Sequence, residues 1–171
     1  TNSYPNTTGL SVLPAGFRDK NGDYKWTGSQ ALFWGNTIIM TNTVAYISFS
    51  NQKCRQSDFS NGIQVDGLGA SVRCVKNTKQ DALIKNGQVI INNQVWMSEN
   101  LNADKFKNGV SIRQAQSKAD WIDANNKKEA AWCYADGDPD GRKFGKLYNF
   151  YAVNNPNGLA PEGWHIATGE E

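Results

Sequence analysis

The stretch DGDPDG places Asp136, Asp138 and Asp140 at alternate positions, with Gly141 behind them. Carboxylates at i, i+2 and i+4 in a loop can converge on one hard cation, as in the first half of an EF-hand loop, and Ca2+ suits such a donor set. The match stops at the twelfth position, where Leu147 stands instead of a bidentate Glu, and Pro139 stiffens the loop differently. A solvated acidic turn is the competing reading. DKNGD carries the same theme in shorter form, with Asp19, Asn21 and Asp23.

Other chemistry is thinly supported. His165 is the only histidine, so nucleophilic catalysis by a Ser or Cys would have to use it as base, and its Trp-His-Ile setting reads as a strand residue held for structure. The carboxylates are too scattered to nominate a glycosidase pair. DGLGAS has no phosphate-loop pattern. The 3 cysteines, Cys54, Cys74 and Cys133, form no C-x-x-C pair, which argues against structural zinc and thioredoxin-type redox chemistry. They allow one disulfide at most, or three buried thiols. No enzyme is expected.

The elements that must position these residues are mostly strands. The chain of 171 residues is 39% hydrophobic, 20% charged and 11% aromatic, with 6 Trp and a net charge of +2. It can bury a real core. Basic residues are scattered rather than gathered among aromatics, so nucleic acid is not an expected partner. No apolar run approaches the ~20 residues of a transmembrane helix. QALFWGNTIIM is an apolar run, and TVAYISFS alternates with period two, Val44, Tyr46 and Ser48 against Ala45, Ile47 and Phe49. ASVRCVK reads as one strand, and VIINNQVW as two short strands around an Asn-Asn turn. Ser117 and Asp120 form a capping box ahead of Trp121 and Ile122, which predicts a short helix, and Thr168 with Glu171 forms a second such box. The fold class expected is α+β with β dominant: short antiparallel strands, long loops and one or two short helices.

The blocks NNQVWMSENLN, AWCYADGDPDGRKFGKLYNFYAVNNPNGLAPEGWHIATGEE, GLSVLPAGFRDKNGDY, ALFWGN and ASVRCVK resemble successive parts of the Fibrobacter succinogenes major paralogous domain. That bacterial family is found mostly in secreted, lipid-anchored or surface proteins. It is similar in pattern to the C-type-lectin-like fold of the formylglycine-generating enzymes, whose active-site cysteine pair has no counterpart here. The blocks stand in exchanged order. Residues 1–77 look like the family's closing half, 78–88 a polar connector or break, and 89–171 its opening half, together one folded unit. Two stretches of one domain in exchanged places, a slice across tandem domains and a circular permutant all produce such an order. A permutant would lose core with the family helix that is missing here, which favours the first reading and then the second.

The resemblance implies more about residues. Cys74 and Cys133 match recurrent family cysteines, implying a disulfide of about 3–4 kcal/mol in a secreted protein and leaving Cys54 unpaired. Lectin-like folds meet ligands just ahead of the closing strand, which implies a site built from Trp34, Asn36, Tyr46, Arg55, Asp58, Phe59 and Asn61. Exposed rings beside amides and carboxylates suit sugar stacking or protein contact. The function expected is therefore a non-enzymatic binding module, secreted or on the bacterial outer surface, for a glycan or a surface protein. The alternative is a structural, fimbria-associated subunit that contacts its own copies.

Overall fold

The computed structural model describes residues 9–40, 43–50, 53–56, 66–77, 87–168 and 171. In chain order these form β1 (Phe17–Arg18), β2 (Tyr24–Lys25), β3 (Gln30–Met40), β4 (Thr43–Ser50), β5 (Lys53–Gln56), β6 (Gly69–Ala70), β7 (Cys74–Lys76), β8 (Gln88–Ile91), β9 (Gln94–Met97), β10 (Arg113–Gln114), α1 (Lys118–Asn126), β11 (Ala131–Tyr134), β12 (Lys146–Asn149), α2 (Phe150–Val153) and β13 (Trp164–Ile166). The class is α+β with β dominant.

Several elements follow from local chemistry. Asn92 and Asn93 both take positive φ, 49° and 64°, the backbone that a tight two-residue hairpin demands, and they join β8 to β9. Ser117 caps α1: its side chain accepts from the Asp120 N–H while the Asp120 carboxylate accepts from the Ser117 N–H. Trp121, one turn in, is fully buried, and its indole N–H donates to the carbonyls of Asp19 and Gly67.

The strands form three sheets. A six-stranded sheet runs β10-β11-β12-β6-β1-β2, a four-stranded sheet β13-β7-β9-β8, and a three-stranded sheet β3-β4-β5. Both of the larger sheets mix strands from before and after residues 78–86. Among the described strand pairs β10 with β11 is the parallel one, and isolated parallel bridges join Gly16 to Ala31 and Phe33 to Ser71.

ASVRCVK is not the single strand expected. β6 belongs to the six-stranded sheet and β7 to the four-stranded one, and the chain changes sheets at Val72–Arg73. Arg73 explains the corner. Its guanidinium donates to the carbonyls of Leu10, Ser11 and Met97 and to Asn100 Oδ1, pinning two separate segments around the bend.

Period-two alternation on β11 and β12 divides the core. Trp132 and Tyr148 face a cluster with Leu32, Trp34, Val72, Cys74 and Ile166. Ala131, Cys133 and Leu147 face the other way, onto Trp121, Ala124 and Phe144. A third, smaller cluster joins Val75, Trp96 and Ala167.

Candidate functional site

Of the residues read from the sequence as ligand-binding, Trp34 and Asn36 are those whose side chains the structure describes. Trp34 is 2% exposed, and its indole N–H donates to the Tyr148 carbonyl at 2.7 Å, so it is a core ring with its polar handle already used. Asn36 is exposed beyond it, its backbone N–H on the Ala167 carbonyl. Tyr46 lies on β4 and Arg55 on β5, but their side chains are outside those described. Asp58, Phe59 and Asn61 lie outside the described residues.

The disulfide expected between Cys74 and Cys133 is not formed in the structure. Cys74 and Cys133 are free and buried. They sit in different core clusters because the pleat of β11 turns Cys133 away from the cluster that holds Cys74. A disulfide needs Cβ atoms that face each other. Burial pushes the Cys74 thiol up to about 12, and pushes Cys133 up too, so neither is a ready thiolate.

The acidic loop is organised by hydrogen bonds from within. Asp138 is 4% exposed, and its carboxylate accepts the backbone N–H groups of Lys143 at 3.2 Å and Phe144 at 2.7 Å. Asp140 pairs with Arg142 at 2.8 Å. Asp136 is exposed. Among the described residues no group of three or more His, Cys, Asp and Glu side chains gathers as metal ligands would. In the shorter turn, Asp19 accepts the N–H groups of Asn21 and Asp23, and Asp23 pairs with Lys118 at 2.6 Å.

Asp136 does, however, line a cleft of about 480 Å3 beside that loop. Tyr24 of β2 forms one wall. Gln114 and Gln116, on either side of buried Ala115, form a second, since alternation sends both amides outward. Cys133, Tyr134 and Ala135 at the end of β11 supply a third, and Gly137 and Pro139 complete it. Arg18 braces the structure from behind. Buried at 2% exposure, its guanidinium lies 4.9 Å from the Tyr24 ring centroid and 5.1 Å from that of Trp121. Its Nη1 donates to the Ala115 carbonyl at 3.3 Å. The Tyr24 phenol is pushed up to about 12, first by burial and then by its Cys133 neighbour. It therefore remains a neutral hydroxyl that can both donate and accept. Half-buried rings, two amides and one carboxylate around an open cleft are groups that bind hydroxyl-rich ligands.

Against this cleft the comparisons can be set. A family model described as the Fibrobacter succinogenes major domain matches residues 89–171, the stretch that supplies every cleft residue except Tyr24. Residues 89–171 belong to that family. No curated protein and no solved structure matches the chain. Within the Fibrobacter succinogenes major domain the cleft is thus carried by β10, β11 and the acidic loop, while the preceding half of the chain lends Tyr24 and Arg18.

His165 stands elsewhere. Its Nδ1 meets Asn77 Oδ1 at 2.7 Å and its Nε2 meets the Glu171 carboxylate at 3.0 Å. An amide and a carboxylate are its partners, with no hydroxyl or thiol nucleophile among them. Glu171 also accepts the Thr168 N–H at 2.9 Å, so the carboxylate half of the second capping box is formed. The cleft residues missed from sequence are Tyr24, Gln114, Gln116 and Tyr134. The alternation Gln-Ala-Gln beside an acidic loop was the available signal, but only the parallel pairing of β10 with β11 puts the two together.

Proposed function

We propose that the chain is a non-enzymatic binding module of a bacterial secreted or outer-surface protein, and that it takes a glycan in the cleft between Tyr24 and Tyr134. The observation that carries this reading is the cleft's lining: two half-buried tyrosines, the amides of Gln114 and Gln116 and the carboxylate of Asp136 around about 480 Å3. Sugars offer apolar C–H faces to rings and a fan of hydroxyls to amides and carboxylates, so the set is chemically matched. The volume lies within the roughly 300–1,000 Å3 common for small-ligand pockets. The non-enzymatic part is supported by His165 having no nucleophile among its partners and by Cys133, at the cleft wall, being kept as a neutral thiol by burial.

A glycan array probed with the whole chain tests this, followed by calorimetric titration of any hit with Gln116→Ala and Asp136→Ala. Both positions are exposed, so the variants keep the fold. Saturable binding weakened in both variants supports the reading; an array without hits, or hits untouched by both changes, sinks it.

Self-association as a structural subunit is a second reading, favoured by β8, which stands at the edge of its sheet with Val89 and Ile91 only partly buried. Light scattering across a concentration series would reveal it as a rising mass.

A further inference from the structure

A second concavity lies far from the cleft in chemistry and in lining. Phe33, Trp34, Ile91, Trp96 and Ala167 line about 170 Å3 of almost wholly apolar space that opens to one side, with Arg73 in the wall. A cavity of about 150 Å3 with such walls holds a benzene ring.

Two buried donors in that wall are unmet. Trp96 is 8% exposed, and its indole N–H has no hydrogen-bond partner. Arg73 is 4% exposed, and its Nε–H has none either. The other Arg73 nitrogens donate only to neutral oxygens, the carbonyls of Leu10, Ser11 and Met97 and the Asn100 amide. Among the described residues no carboxylate forms a direct ion pair with this guanidinium; Glu99 acts on it only through space. A buried cation without a direct ion-pair partner, and buried N–H groups without acceptors, are costly unless something completes them.

Glu171, the carboxylate in the same wall, is already engaged. It accepts from Gln94 Nε2 at 3.0 Å, from Thr168 N at 2.9 Å and from Thr168 Oγ1 at 3.2 Å, and it meets His165 Nε2.

We propose that this cavity is a binding site for a small monocarboxylate with a compact apolar body, of the size of benzoate. The apolar body fills the space between Phe33, Trp96 and Ala167. The carboxylate supplies the acceptor that the Trp96 and Arg73 N–H groups lack and a negative charge in direct contact with Arg73. The site is independent of the cleft and of any glycan.

The test is calorimetric titration of the whole chain with sodium benzoate, benzyl alcohol and sodium acetate as probes, with thermal unfolding in parallel. Benzoate should bind saturably and raise Tm, while benzyl alcohol, which lacks the charge, and acetate, which lacks the ring, should each bind at least about tenfold more weakly. Trp96→Phe keeps the ring but removes the N–H, and should weaken benzoate roughly five- to tenfold. Ala167→Leu fills the cavity and should abolish binding in a chain whose circular dichroism is unchanged. Absence of saturable benzoate binding to the unmodified chain overturns the proposal without recourse to any variant. So does benzyl alcohol binding as tightly as benzoate, or undiminished binding to Ala167→Leu.

Discussion

The indole N–H of Trp34 donates to the carbonyl of Tyr148 at 2.7 Å, joining residues 114 positions apart. It ties β3 to β12, and so the first half of the chain to the sheet that carries the cleft. Trp34→Phe keeps most of the buried ring and removes the donor. It should cost about 1–3 kcal/mol in urea unfolding, the usual range for one lost buried hydrogen bond and the shape change around it. Ligand affinity at the cleft should be unchanged. Normal stability with lost ligand binding would make Trp34 a ligand reader after all.

Asp138 holds the acidic loop from inside, through the N–H groups of Lys143 and Phe144. Asp138→Ala leaves those amides without their acceptor and should destabilise by roughly 1–3 kcal/mol. Asp136→Ala, at an exposed position, should stay within about 0.5 kcal/mol. Because the loop is closed by its own amides, adding Ca2+ or a chelator should leave Tm where it is. A rise of several degrees on adding Ca2+ would restore the loop as a cation site.

The free thiols make the protein sensitive to alkali. Cys74 is pushed from its ordinary 9.0 up to about 12, so above that ordinary value the unfolded chain releases a proton that the folded chain retains. The associated stability is complete below about pH 9 and is lost as pH climbs through about 12, at about 1.4 kcal/mol per pH unit. Cys133 acts in the same direction, as does Tyr24, raised from 10.0 to about 12. Urea unfolding at about pH 8 and about pH 10.5 measures the loss. Cys74→Ala should show a shallower slope between the two. Both thiols should resist a thiol reagent until the chain unfolds.

Gly141 backs the Tyr134 wall of the cleft. It has φ of 67°, and an added Cβ would come within 2.5 Å of Tyr134 Cε1. Gly137, in the same loop, has φ of 72° with open space around it. Both alanine variants carry backbone strain of about 1–2 kcal/mol, but only Gly141→Ala displaces the tyrosine ring. Glycan affinity should therefore fall more in Gly141→Ala than in Gly137→Ala. Equal losses would mean that Tyr134 does not contact the ligand.

Much of the secondary structure was legible because its causes are local. The Asn92–Asn93 turn, the Ser117–Asp120 box and the strand TVAYISFS each depend on residues within a few positions of one another, and each stands where the sequence puts it. The strand read through ASVRCVK failed for the opposite reason. Its break at Val72–Arg73 is imposed by carbonyls and an amide from 24 to 63 residues away, which no local pattern carries.

By itself, then, the sequence determined the β-dominant class, the short capped helix, the hairpins and the family of residues 89–171, through side chains that act on their own neighbourhood. Only the tertiary structure decided which polar and aromatic groups have spare bonding capacity. Trp34 spends its N–H on Tyr148, Asp138 spends its carboxylate on the loop, and the pleat of β11 turns Cys133 away from Cys74. Tyr24, Gln116 and Asp136 are left facing one cleft, and Arg73 and Trp96 are each left with a buried N–H that finds no acceptor among the described residues. Burial and satisfaction are sums over distant partners, so they exist only once the sheets have been assembled.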